Sequence, residues 1–218
     1  MTSTQDLQSL LKQAKVLDAQ TLKIPDKAMK AVEQLFQIIA LVAPKVQLGK
    51  DWKVKYPVFD IVQYGTEPGK VLRKKSIEVP DQWLGTPEFI YFIQVLLATV
   101  VLSEFIVGTP GVGLSAVQVG VPIQVFLAFL GKTKTWELVI NPEIEPTSAH
   151  TEVGKEGCLS IEKGKKRIAV PRYKKIKLKY TSLAQSPIQK KMILKGFDAR
   201  VVQHEFDHLL GKLIIDYS

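Results

Sequence analysis

Gln203-His204-Glu205-Phe206-Asp207-His208-Leu209 is the stretch on which the reading of this chain turns. It holds two of only three histidines, four positions apart, and helical geometry stacks such a pair on one face within reach of one metal ion. Between them, Glu205 is placed to take a proton from an activated water and hand it to a leaving group. The competing reading is a surface helix with two solvated histidines, and the HExxH pattern alone leaves it open. Hydrophobic spacing predicts this helix over roughly Phe197 to Leu210, with Gly211 as its stop and a short strand at Leu213 to Asp216.

An open catalytic metal site wants three protein ligands and a free position. Upstream of the helix, Glu156-Gly157-Cys158-Leu159-Ser160 contains the single cysteine of the chain. A thiolate beside two imidazoles suits a divalent transition metal, although a lone cysteine is more often a small buried hydrophobe. It cannot form an internal disulfide, which points to a reducing compartment and a cytoplasmic address. A third stretch, Gly111-Val112-Gly113-Leu114-Ser115-Ala116-Val117-Gln118, is a turn whose glycines let the backbone approach a ligand, with a side-chain amide at its end. Gln118 could donate to the oxyanion formed when water attacks a carbonyl, or simply tie down the loop.

Around these motifs the chain changes character. Leu7, Leu10, Leu11, Ala14 and Leu17, then Met29, Val32, Leu35, Phe36 and Ile39, recur at helical spacing, so residues 1–57 are expected to be a helical N-terminal extension with a boundary near residues 50 to 57. From Val58 onward, β-branched and aromatic runs alternate with Gly and Pro, and residues 58–218 are expected to form the catalytic domain. Thr86 and Pro87 mark the start of an apolar helix running to about Val107 and stopped by Gly108. Gln124 to Leu130 and Trp136 to Ile140 have strand character. Lys175 to Tyr180 alternates lysines outward with Ile176, Leu178 and Tyr180 inward. The expectation is an α+β fold, with mixed or antiparallel sheets around a central HExxH helix.

Length and composition set the bounds. With 218 residues, 46% of them hydrophobic, the chain can bury a full core. Its start lacks a basic end followed by an apolar run, so no cleaved leader is expected. Phe89 to Leu102, broken by Gln94, is shorter than the roughly 20 residues a membrane span needs. The net charge of +9 is uneven: Lys163 to Lys179 carries nine Lys or Arg and no acid, so it either faces phosphate or is a solvated hairpin.

Together, and in this order, the three segments resemble the signature motifs of peptide deformylases, G-x-G-x-A-A-x-Q, E-G-C-L-S and Q-H-E-x-D-H. The likeness extends from about Ile61 through Val71-Leu72-Arg73-Lys74 and Val139-Ile140-Asn141-Pro142 to Asp216. The resemblance implies that Cys158, His204 and His208 bind one divalent metal, natively Fe2+ with Zn2+, Ni2+ or Co2+ as substitutes. Glu205 would be the general acid/base, and Gln118 with the backbone N–H of Leu159 the oxyanion hole. It further implies that Gly113 lies beside bound peptide, that Val112, Phe197, Arg200 and Val201 line a methionine pocket, and that Arg167 contacts the peptide. The implied substrates are formyl-methionyl nascent peptides.

Several positions depart from the family pattern. Ser115 and Val117 stand for the commoner Ala and Pro or Asn, and Glu162 replaces the usual Pro. Lys163 to Lys166 includes a short insertion before Arg167. The long C-terminal helix of some members is missing, so Lys163 to Lys179 is expected to supply a salt-sensitive ribosome contact, while Leu7 to Leu17 and Met29 to Ile39 pack on the catalytic domain. Two other readings compete: a general metalloendopeptidase built on the same helix motif, and a non-catalytic ribosome-binding or structural module.

Overall fold

The computed structural model describes residues 15–18, 55–183 and 187–218. They fall into two compact units that interleave along the chain.

In the unit formed by residues 15–18, 55–60 and 80–110, β1 (Lys15–Asp18) pairs antiparallel with β2 (Lys55–Val58), Lys15 opposite Val58. The helical expectation for Leu7 to Leu17 therefore fails at residues 15–17. A partner strand about forty residues away overrides local leucine spacing there, because pairing depends on neighbours more than on intrinsic preference. Residues 55–57, the end of the expected extension, are strand as well, and its remaining residues, Met29 to Ile39 included, lie outside the described residues. Helix α1 (Pro87–Val101) starts as expected, with the Thr86 hydroxyl accepting from the Phe89 N–H and Pro87 in the first turn. It breaks at Leu102 and resumes as α2 (Ser103–Val107), capped by Gly108 at φ 77°. The expected single helix is thus interrupted just after Thr99-Val100-Val101, a β-branched run that disfavours helix. Thr99 is occupied elsewhere: its hydroxyl donates to the Val95 carbonyl and accepts from the Phe59 N–H at 2.9 Å. Among the described residues no helix is long and apolar enough to cross a membrane.

The other unit, residues 61–79, 111–182 and 188–218, carries the motifs. Its five-stranded sheet runs β3 (Gly113–Ser115), β4 (Val125–Leu130), β5 (Thr135–Pro146), β8 (Lys175–Leu183) and β9 (Pro187–Lys195). The pairs from β3 through β8 are antiparallel. A separate antiparallel pair joins β6 (Thr151–Glu156) to β7 (Ile168–Tyr173), Glu156 opposite Ile168. Strand β5 is longer than its apolar pattern suggested, because an irregularity after Ile140 carries it onward. Asn141, at φ 49°, accepts there from the Val79 N–H and donates to the Val79 carbonyl.

Helix α3 (Gly196–Leu209) holds the HExxH pair and stops before Gly211 at φ 74°. Ala199, Val201, Val202 and Leu209 pack on the sheet face made by Phe126, Leu130, Val139, Ile176, Leu178 and Tyr180. Burying each large aliphatic contributes roughly 1.5–3 kcal/mol, which pins the opposite face of α3 toward the motif loops. A second cluster, Leu72, Cys158, Ile161, Ile168, Val170, Leu213 and Ile214, lies under the cysteine loop. The strand expected at Leu213 to Asp216 is instead a 3-10 turn over Ile214–Tyr217. Asp216 explains it: its carboxylate accepts from the Leu213 N–H and takes a two-pronged pair with Arg73, closing the segment into a turn.

Candidate metal centre and its surroundings

The cysteine loop and α3 bring three donors together. The ligand atoms of Cys158, His204 and His208 all lie within 4.8 Å of one another, and Cys158 Sγ is 3.3 Å from His208 Nε2. Ligands at about 2.0–2.3 Å around a tetrahedral ion stand roughly 3.5 Å apart, so the spacing and the donor chemistry both fit a first-row divalent metal. His204 Nδ1 is engaged by Glu156 Oε2 at 2.9 Å, which leaves Nε2 for the ion.

Glu156 is itself clamped. Arg172 donates to both of its oxygens at 2.9 Å, and Arg200 Nη1 reaches Oε1 at 2.8 Å. Arg172 also pairs with Asp207, which accepts from the Tyr217 hydroxyl at 2.8 Å. Burial opposes the charge on Glu156, but the hydrogen bonds of His204 and Arg172 pull it down to about 2. Burial likewise opposes charge on His204, yet Cys158 and Glu156 raise it to about 10. His208 goes the other way, pushed well down by burial and by the charges of His204 and Arg172.

A depressed carboxyl contributes stability that is present above its ordinary value of 4.5 and is lost as pH falls toward 2. Glu156→Gln should therefore melt well below the wild type at neutral pH, since it leaves Arg172 short of a buried partner. The gap should close as pH drops from about 4.5 to about 2. Thermal melts across that range measure it, and a gap independent of pH would remove Glu156 from the ion-pair role.

Glu205 is buried, and burial pushes its carboxyl up to about 7. Its Oε1 lies against Gly113: a Cβ added there would sit 2.3 Å from that oxygen, so only glycine leaves the space. Its Oε2 accepts from the Ser115 hydroxyl at 2.7 Å. Gln118 is oriented by the Ser115 N–H, which donates to its Oε1 at 2.9 Å. Its Nε2 points to Ser160 Oγ at 3.1 Å and Cys158 Sγ at 3.6 Å. Leu159 is buried, and its carbonyl accepts from Gln63 Nε2 at 3.0 Å.

Beyond Ser160, the backbone makes a left-handed turn, with Glu162, Lys163 and Gly164 at φ 47°, 55° and 79°. Gln63 Oε1 steadies it by accepting from the Lys163 N–H at 3.1 Å. The turn sends Arg167 back over Gly157, where an added Cβ would lie 2.2 Å from Nη1, beside the candidate ligand Cys158.

The remaining candidates divide. Phe197, 52% exposed, and Arg200 line a cavity of about 320 Å³ with Val153, Gly154 and Tyr173. Only the stem of Arg200 is free for a ligand, because its head donates to Glu156 and to the Glu152 and Val170 carbonyls. Val201 is packed into the core between α3 and the sheet, and Val112 is 45% exposed; neither is among the residues lining that cavity.

Sequence reasoning missed Glu156, Arg172, Asp207 and Ser115. Arg172 was hidden in a segment read as one basic surface, but it is buried, and Lys177 and Lys179 sit across the strand from Glu145 and Glu143. The acids opposite them in β5 were the available signal. Asp207 and Glu156 were in plain view within the quoted motifs.

The sequence model of the family described as polypeptide deformylase matches residues 58–218. The chain is 36% identical over 162 residues to a peptide deformylase 2 of Pseudomonas putida, covering 71% of this chain and 84% of that protein. It is 42% identical over 106 residues to a peptide deformylase of Thermotoga neapolitana, a stretch that spans 61% of that relative and 49% of this chain. Among solved structures, a class I type b peptide deformylase from Acinetobacter baumannii superposes with a TM-score of 0.64 at 30% identity, covering 73% of this chain and 98% of that one. A probable peptide deformylase from Synechococcus phage S-SSM7 gives 0.61 at 32%, covering 73% and 99%.

Proposed function

Since the chain belongs to the polypeptide deformylase family, we propose that it hydrolyses the formyl group from the N-terminal methionine of new polypeptides. The observation that carries this reading is the convergence of the Cys158, His204 and His208 donors beside Glu205 and Gln118. In it, Cys158, His204 and His208 would hold one divalent ion, ferrous iron in the cell, which when bound would supply Lewis acidity for the carbonyl and lower the pKa of a water. Glu205 takes a proton from the attacking water and passes it to the leaving amine. The Gln118 amide and the Leu159 N–H donate to the oxyanion, Gly113 and Arg167 flank the peptide, and Phe197 with the stem of Arg200 receives the methionine side chain. Formate and a free α-amine leave.

Formate release from a formyl-methionyl peptide, measured anaerobically with ferrous iron and again after chelation, tests the proposal. Activity should vanish on chelation, return with iron, and decay faster in air for the iron form than for the nickel form. Cleavage of unformylated peptides with no formate release would favour the endopeptidase reading instead.

A cytoplasmic location and a salt-sensitive ribosome contact belong to the same proposal. The ion pairs of Lys177 and Lys179, and that of Lys166 with Glu162, shift that contact toward Lys165, Lys174 and Lys175. Changing these three to Gln should lower co-sedimentation with ribosomes at low salt and spare turnover of a short formyl peptide. Undiminished co-sedimentation would leave the patch a solvated face.

A further inference from the structure

We propose that Ser115 is a positioning residue for Glu205, holding one carboxylate oxygen so that proton transfer is confined to the other. The inference rests on the deformylase reading and deepens it. Residues two apart on a strand share a face, so Gly113 and Ser115 of β3 both turn toward α3 while Leu114 points away. Their contacts with Glu205 are complementary. Oε1 rests against the bare Cα of Gly113, in the space any side chain there would take, and Ser115 Oγ lies 2.7 Å from Oε2 and 3.0 Å from the Glu205 carbonyl. Both Ser115 and Glu205 are buried, so the hydroxyl stands in for water that cannot reach Oε2. A carboxylate anchored at one oxygen cannot rotate to exchange the two, and Oε1 is the one left facing the glycine side where the peptide is proposed to lie.

The same residue fixes the second reacting group by a different atom. The Ser115 N–H orients Gln118 through Oε1, a bond any residue at 115 would make. The side chain is what this chain adds, because the family's commoner alanine at this place has no hydroxyl for the base. Removing it should therefore affect the step that Glu205 serves and leave the amide of Gln118 in place.

The test uses the full metal-loaded protein and formate release from a formyl-methionyl tripeptide. Ser115→Ala should lower kcat about five- to tenfold, the net worth of one ordinary hydrogen bond, with KM and metal content unchanged. Ser115→Thr, which keeps the hydroxyl, should recover most of the loss. In a Glu205→Gln background, Ser115→Ala should cost nothing further, because it acts through the group already removed. An unchanged kcat, a Thr variant as slow as the Ala variant, or the same fall in the Glu205→Gln background overturns the proposal. Loss of metal or of fold in Ser115→Ala also overturns it, in favour of a structural serine. A wild-type protein that releases no formate would instead sink the deformylase reading itself, so the two failures are told apart.

Discussion

Glu205→Gln is expected to cut formate release by at least about a hundredfold while metal content stays near that of the wild type. The amide has the shape of the carboxylate and can still accept from Ser115, but it cannot take and return a proton. Glu205 stands apart from the three-donor group, with one oxygen on Ser115 and the other against Gly113, so its neutralisation leaves the donors intact. Metal analysis beside the rate measurement separates the alternatives: a variant that arrives without metal would make Glu205 a ligand, contrary to its assigned role.

Gln118→Ala should be nearly as damaging, with kcat falling about 10²- to 10³-fold as for the loss of one oxyanion donor in other hydrolases. The Ala variant also loses the bond from the Ser115 N–H to Oε1, so a second variant is needed. Gln118→Glu keeps that acceptor and loses the donor facing Cys158 and Ser160, and it should be equally slow. If either protein retains more than about a tenth of wild-type kcat, the oxyanion role goes to another group.

Much of the scaffold could be read from periodicity. The helix expected over Phe197 to Leu210 is found at Gly196–Leu209, and the inward face of Lys175 to Tyr180 is the buried one, because a single buried face writes a clean repeat. Lys15–Asp18 misled for the opposite reason: four residues carry too little pattern to announce a strand whose partner lies at Lys55–Val58. Leu213 to Asp216 failed because a carboxylate, Asp216, decides the turn, and its partner Arg73 is more than a hundred positions away. The donors Cys158, His204 and His208 could be picked out by residue type. Their supports could not: Arg172 differs from its neighbouring lysines only in being folded inward against Glu156 and Asp207, a long-range fact that local composition does not contain.

The left-handed turn at Glu162 and Lys163 constrains what residue 162 can be. A proline ring holds φ near −65°, whereas residue 162 stands at 47°. Two non-glycine residues in that region cost roughly 1–2 kcal/mol each, so the turn persists only because its surroundings impose it. A proline at 162 is therefore incompatible with this turn as it stands. The turn and the return of Arg167 to Gly157 belong to one loop, so a change to the first carries over to the second. A proline placed at 162 would force the loop to be rebuilt, and with it the approach of Arg167 to the backbone beside Cys158.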